Sequence, residues 1–461
     1  MTIRSVLVAN RGEIAVRIIK AAKALGIRTV QAYSAADADM LAVRLADEAV
    51  NIGPPAAKKS YLSIEALITA AKSAGVDAVH PGYGFLSENG DFADAVEAAG
   101  MIFIGPSGDA IRLLGDKVAA RAVAAKAGVP TVPGSAGRID SLDDALAVVE
   151  RTGFPIMIKA AAGGGGRGIR IVQTPLELEQ QFPQASAEAA AAFGDGGLYL
   201  EKVIGRARHV EVQILGDGIN VVHCHERECS LQRRRQKVWE EAPAFRLPAD
   251  IREKLCASAV ALARAVQYRG AGTVEYLYDE DAREFYFIEV NTRIQVEHPV
   301  TEMITGIDLV QEMFRVAGGA PLSVSQGDIK VRGHAIECRI NAEDPARGFM
   351  PAPGLIETLI VPDGEGVRFD TMLYEGYTVP PFYDSLLGKL IVWAETRDLC
   401  VDRLKAALAG LTVKGVPTTI PLHLALCDAT DVRSAEYHTR FLETWLDTTF
   451  APPAQKTVEV A

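Results

Sequence analysis

Cysteine is scarce in this chain of 461 residues, and the six present (Cys224, Cys229, Cys256, Cys338, Cys400 and Cys427) form no Cys-x-x-Cys pair. That spacing argues against a disulfide framework and sets a reducing, cytoplasmic compartment as the expectation. The grouping His223-Cys224-His225 with Cys229 is a poor metal site, because strand alternation puts the two histidines on one face and Cys224 on the other. Positive charge is also short: 48 Lys and Arg stand against 59 Asp and Glu, a formal charge of −11. A broad surface for nucleic acid or anionic membrane is therefore not expected. No apolar run reaches transmembrane length, and Arg4, Arg11 and Glu13 come too early for a signal peptide. Two phosphate-binding signatures are missing as well. The first strand–helix turn is Ala9-Asn10-Arg11-Gly12-Glu13, not G-x-G-x-x-G, and no Gly-Lys-Ser/Thr follows the later glycine run.

What is present begins as alternating strand and helix. Residues 5–9 read as a buried strand, 13–25 as a helix stopping at Gly26, and 28–33 as a second strand, with the alternation continuing to about 105. His80-Pro81-Gly82-Tyr83-Gly84-Phe85 follows the strand at 78–79, where ligands sit in open α/β sheets. Gly115-Asp116-Lys117 opens a helix, and 129–134 reads as a hinge. A strand at 154–159 ends in Lys159, and the glycines Gly163, Gly164, Gly165 and Gly166 follow before another strand at 168–172. Without side chains, such a run brings backbone N–H groups against phosphate oxygens. Further strands are expected at 198–203, 208–215 and 221–225, and the alanine-rich 185–192 reads as a helix. The run Arg233-Arg234-Arg235 with Lys237 reads as a local anion pocket. From 333 the pattern becomes a third, α+β unit with a last helix at 401–411 and a loose tail at 451–461.

The most informative stretch is Glu289-Val290-Asn291-Thr292-Arg293-Ile294-Gln295-Val296-Glu297-His298. If it stays extended, Glu289, Asn291, Arg293, Gln295 and Glu297 share one face, with Val290, Ile294 and Val296 on the other. The polar set holds hard oxygen ligands, a cation for a planar anion and a candidate general base. A hairpin pairing 273–278 with 284–291 and centred on Ala282 places Glu275 opposite Glu289. Facing carboxylates repel unless a cation lies between them, which points to a divalent metal at Glu275, Glu289 and Asn291.

These motifs resemble the biotin carboxylase branch of the ATP-grasp family over nearly the whole chain. The resemblance is carried by Ala9-Asn10-Arg11-Gly12-Glu13-Ile14-Ala15, by His80-Pro81-Gly82-Tyr83-Gly84-Phe85-Leu86-Ser87-Glu88-Asn89 and by the glycine flap after Lys159. Residues 232–243 and 291–302, and the run from His334 through Arg339 to Pro345, complete it. It implies an α/β and α+β architecture: a Rossmann-like (pre-ATP-grasp) domain at 1–115, an ATP-grasp domain at 116–330 with a mobile lid at about 132–203, a C-terminal biotin carboxylase domain at 331–446, and a loose tail at 447–461.

The implied chemistry is phosphorylation of bicarbonate by ATP to carboxyphosphate, followed by carboxylation of biotin N1′, the first half-reaction of an acetyl- or acyl-CoA carboxylase. Lys117, Lys159, the glycines Gly163 to Gly166 and Arg235 would hold ATP phosphates; Glu201, Lys202 and Ile204 would frame adenine, with His209 and Gln232 near the ribose. Glu275, Glu289 and Asn291 match the family's Mg²⁺ or Mn²⁺ ligands. Lys237, Arg293, Gln295 and Val296 match its bicarbonate site, Glu297 its base, Arg339 the group that stabilises the biotin enolate, and Tyr83 with Gly84 its biotin pocket. Arg235 stands where many members have histidine, Ala161-Ala162 where serine and glycine are common, and Val203 where an aromatic is frequent. No Ala-Met-Lys-Met biotinylation site occurs, so the biotin carboxyl carrier protein and the carboxyltransferase are expected on separate chains, and a homodimer is implied. Two other readings are kept: a carbamoyl-phosphate-synthetase-like ligase, which would not need Tyr83 or Arg339, and a non-catalytic partner-binding subunit.

Overall fold

The computed structural model describes residues 2–161 and 169–452. The first unit is a five-stranded parallel sheet in the order Glu48–Asn51, Arg28–Tyr33, Ser5–Val8, Ala78–His80, Ile102–Phe103. Its central strand Ser5–Val8 is buried on both faces, as the unbroken apolar run requires. Helix Gly12–Ala24 follows at once, with Gly12 at φ +72° making the turn into it. The His80–Phe85 segment leaves the C-terminal end of Ala78–His80 and bends through Gly82 and Gly84, both at positive φ.

A second, small unit follows. Ile156–Ala160 is the middle strand of a three-stranded antiparallel sheet, between Arg170–Val172 and Leu198–Lys202. Helices Leu142–Thr152 and Pro175–Phe193 complete it. It has its own core, with Ile139, Val148, Ile156, Leu178, Phe182 and Leu200 buried together. The segment before it bonds to the main body through Phe287 N–H on Pro130 O at 2.7 Å. The glycines Gly163, Gly164, Gly165 and Gly166 lie outside the described residues.

The main body is an eight-stranded antiparallel sheet in the order Glu284–Asn291, Arg269–Asp279, Ala207–Asp217, Val221–Arg233, Gln236–Ala242, His334–Asn341, Leu386–Ala394, Val367–Thr371. The main strands of the third unit continue this sheet, with Trp239 opposite Cys338 and Ala242 opposite Ala335, and three two-stranded sheets stand beside them. Two expectations are corrected here. The helix expected at 401–411 spans Arg397–Gly410 and is not the last, since Ile420–Asp428, Thr430–Arg433 and Phe441–Thr448 follow. The hairpin turn is centred half a residue before Ala282, because Asp279 pairs with Glu284. Glu275 still faces Glu289, since the register shifts by one between Tyr276–Phe287 and Glu275–Glu289. Ile288 is the extra residue of that bulge.

Candidate functional site

The expected face of five polar side chains is assembled by a strand and a bend together. The strand ends at Asn291; the chain then turns and enters helix His298–Thr305, whose N-cap is Glu297. Glu289, Asn291, Arg293, Gln295 and Glu297 nevertheless all line one cavity of about 440 Å³, together with Val296. Val290 and Ile294 are buried, as expected of the other face, whereas Val296 is only half-buried.

Glu297 sits between two cations, its Oε1 accepting from Lys237 Nζ at 2.7 Å and its Oε2 from Arg339 Nη2 at 3.0 Å. Burial alone would raise its carboxyl, but Lys237, Arg339 and Arg227 outweigh burial and hold it well below the usual carboxylate range. Glu297 is thus an ionised acceptor at neutral pH. Lys237 also donates to Glu211 at 2.5 Å and Glu275 at 2.9 Å. Burial would lower its ammonium, and these three carboxylates raise it instead. Arg293 is aimed by Glu88, at 2.9 Å from its Nε, and by Asn291 Oδ1, at 2.9 Å from its Nη2. Gln295 donates to Glu275 at 2.9 Å and accepts from Arg227 at 3.1 Å.

Glu289, Glu275, Glu211 and Arg227 form a single row across four adjacent strands. Along it the charge is compensated unevenly. Glu275 has His209 Nε2 at 2.9 Å as well as Lys237, and these hold it well below its usual range against burial. No described residue hydrogen-bonds or ion-pairs with Glu289, whose carboxyl is raised by burial and by the adjacent Glu275. A divalent cation would supply what Glu289 lacks, and two carboxylates with an amide oxygen suit Mg²⁺ or Mn²⁺. His209 and Glu211 also come within ligand distance of Glu275, as Cys229 does with Glu211 and Glu297. Those groupings already hold Lys237 and Arg227 as counter-ions, so they read as ion-pair networks. Cys224 points into the core while the His223 and His225 rings lie 5.0 Å apart, in keeping with alternation.

The other expected residues gather around this centre. Arg235 and Tyr83 line the same cavity, as does Arg339. Tyr83 OH donates to Glu13, and Gly84 shapes the loop at φ +67° without lining the cavity. His209 Nδ1 lies 2.6 Å from Gln232 Nε2. Lys117 lines a neighbouring cavity of about 290 Å³ with Arg121, Ala161 and Tyr199, between helix Lys117–Lys126 and the small sheet. The Glu201 side chain is taken up by Lys159 and by Arg121, the latter at 2.7 Å, so only its backbone is left to meet a base. Lys202 is exposed and Ile204 half-buried just past the strand end.

Sequence reasoning singled out neither Glu211 nor Arg227, Glu240 or Lys389. Glu240 accepts from Arg339 Nε at 2.6 Å, and burial raises its carboxyl to about 7 despite Arg339. Glu211 and Arg227 were within reach of register reasoning, because the strands carrying them continue the ladder from Glu275.

Comparison with known proteins adds independent findings. Family profiles described as "Biotin carboxylase, N-terminal domain", "Carbamoyl-phosphate synthase L chain, ATP binding domain" and "Biotin carboxylase C-terminal domain" match residues 2–111, 116–325 and 337–444. The chain is similar to biotin carboxylase 1 of Bacillus subtilis (strain 168), 51% identical over 96% of this chain and 99% of that protein. It is similar to a pyruvate carboxylase subunit of Methanothermobacter thermautotrophicus, 48% identical over 95% of this chain and 89% of that protein. A solved structure of the biotin carboxylase domain dimer of Hydrogenobacter thermophilus 2-oxoglutarate carboxylase, in complex with MgADP, ADP and bicarbonate, superposes with a TM-score of 0.90. It is 47% identical, over 96% of this chain and 98% of that one.

Proposed function

The chain belongs to the biotin carboxylase family, and we propose that it carboxylates N1′ of biotin on a separate carrier protein, using ATP and bicarbonate and passing through carboxyphosphate. It is an ATP-dependent ligase, like the biotin carboxylases it matches. The observation that carries the reading is Glu297, ionised between Lys237 and Arg339 beside the facing pair Glu275 and Glu289.

In this reading the Lys237 and Arg293 cations and the Gln295 amide hold bicarbonate, with Val296 completing the site. Glu297 takes the bicarbonate proton, which makes an oxygen nucleophilic toward the γ-phosphate. Two anions must meet, and the cations on either side offset their repulsion. Magnesium held at Glu275, Glu289 and Asn291 supplies further neutralisation of phosphate charge when bound. Lys117, Lys159, Arg235 and the glycines Gly163 to Gly166 belong to the phosphates; Glu201, Lys202, Ile204, His209 and Gln232 to the nucleoside. Arg339 stays protonated at any working pH and stands ready for the biotin enolate oxygen, with Tyr83 and Gly84 shaping the pocket.

The divisions at 115/116 and 330/331, the lid at about 132–203, a homodimer, separate carrier and carboxyltransferase chains and a cytoplasmic location belong to the same proposal. The separate family matches at 2–111, 116–325 and 337–444 support the divisions, and the dimer of the 2-oxoglutarate carboxylase domain supports the oligomer. Among the described residues no helix is long and apolar enough to cross a membrane. The final acceptor in this proposal is acetyl-CoA. Relatives named for pyruvate and 2-oxoglutarate carboxylases make that choice a matter for assay with each carboxyltransferase.

The test is ADP release from MgATP and bicarbonate, with free biotin or a biotinylated carrier and without. Stimulation by biotin in either form is expected. Bicarbonate-dependent hydrolysis indifferent to both would replace this reading with another bicarbonate-using ATP-grasp ligase.

A further inference from the structure

Lys389 lies in the middle of strand Leu386–Ala394 with its side chain 0% exposed. An ammonium taken fully out of water needs compensation from groups around it. Its two partners come from distant parts of the chain. Nζ donates to the Val296 carbonyl at 2.7 Å and lies 3.2 Å from Glu13 Oε1. Glu13 belongs to the first turn of helix Gly12–Ala24, and the same Oε1 accepts the Tyr83 hydroxyl. Its Oε2 has no described partner.

The carbonyl that Lys389 grips belongs to the peptide joining Val296 to Glu297. That peptide lies in the bend between strand Glu284–Asn291 and helix His298–Thr305, outside both regular ladders. A backbone without its own ladder takes its position from side chains, and here one of them is Lys389. On the neighbouring strand Arg339 is directly opposite Lys389, so the same strand pair carries the anchor and one of the two cations on Glu297. The path Tyr83, Glu13, Lys389, Val296 therefore runs from a wall of the cavity to the backbone of the candidate base, through four segments far apart in sequence. A buried pair that only fastened the first unit to the sheet would not require its ammonium to make its shorter bond to this carbonyl.

We propose that Lys389 is a positioning residue for Glu297, and that Glu13 joins this anchor to Tyr83, so that a ligand displacing Tyr83 shifts the Val296–Glu297 peptide. The inference rests on the functional reading above. Occupation of the candidate biotin pocket is then transmitted to the bicarbonate site by a hydrogen-bonded lever, which is the route of the stimulation by biotin already expected above.

The experiment measures bicarbonate-dependent ATP hydrolysis, with and without biotin, for the wild-type chain, Glu13→Gln and the double variant Glu13→Gln/Lys389→Met. Glutamine is close in shape to glutamate and can still accept from Tyr83, but cancels the charge facing Lys389. The double variant removes both charges of the Glu13–Lys389 pair together. Expected for the double variant is a rise in KM for bicarbonate and a fall in kcat, together roughly tenfold to a hundredfold, with KM for ATP unchanged. Expected for Glu13→Gln is loss of most of the stimulation by biotin. Full stimulation in a folded Glu13→Gln chain overturns the inference, whether or not the double variant folds. So does a double variant that folds with the wild-type kcat and KM for bicarbonate. A wild-type chain without bicarbonate-dependent hydrolysis overturns the functional reading itself, and the inference falls with it.

Discussion

Glu275 and Glu289 face each other across their hairpin because Ile288 is bulged out of the ladder between them and the turn. A regular ladder from the same turn would set Ile288 opposite Glu275. The bulge turns the second carboxylate onto the first and continues the row to Glu211 and Arg227. Such irregularities re-aim side chains beside active sites.

Removing one charge of this pair should separate stability from function. Glu289→Gln is expected to raise the thermal midpoint of the metal-free chain, by up to about 1 kcal/mol of relieved repulsion. The same variant should lose most of the further stabilisation that MgATP gives the wild type. Thermal unfolding with and without MgATP checks both. A lower midpoint without metal would mean that the two carboxylates do not repel in the folded chain.

Glu297→Gln keeps the size of the side chain and removes the proposed base. Carboxylation should fall by roughly 10²–10⁴-fold, while nucleotide binding, measured by calorimetry, stays close to wild type. Preserved turnover would take Glu297 out of the mechanism.

Arg339→Ala should impair biotin carboxylation more than bicarbonate-dependent ATP hydrolysis, since its proposed charge partner forms only on biotin. It also leaves Glu240 and Glu297 short of a cation, so a loss of about 3–5 kcal/mol in stability is expected from denaturant unfolding. Equal loss of both activities would argue that the residue's role is structural.

Glu240 gives a pH signature. Its carboxyl is raised from an ordinary 4.5 to about 7 by burial, against Arg339. The folded chain therefore binds this proton more tightly than the unfolded chain does. The associated stability is fully present below about 4.5 and is lost as pH rises through about 7. Glu240→Gln should flatten that part of the stability–pH curve, measured by denaturant midpoints from pH 5 to 8. An unchanged curve would assign the titration to another group.

Much of this was readable from residue order, for physical reasons. The unusual polar set around Glu289 to Glu297 is a local property, so, Lys237 apart, the candidate bicarbonate-site residues were visible in one stretch, even though the strand ends at Asn291. The Glu275–Glu289 pairing was reached from a turn centre half a residue off, and the bulge at Ile288 restored it; a bulge leaves no clear mark in sequence. The compensating groups were out of reach because their contacts are long-range: Lys389 meets Val296 and Glu13, and Glu240 meets Arg339. Their own segments read as ordinary strand. The continuation of the central sheet past 333 leaves no mark in residue order, because the change of pattern there reports local composition and says nothing of hydrogen bonding across strands. Helices Ile420–Asp428 and Phe441–Thr448 are short, and the first carries Pro421 near its start, so neither builds a long periodic signal.

The ladder joining Trp239 to Cys338 also governs how the molecule comes apart. A protease nicking the connection between helix Leu309–Ala317 and strand His334–Asn341 would cut the chain without freeing two bodies. The fragments would stay zipped through strand Gln236–Ala242 and elute together. Expressed separately, each would carry a raw strand edge seeking the other half, which makes the pair a natural split protein and either half alone prone to aggregate.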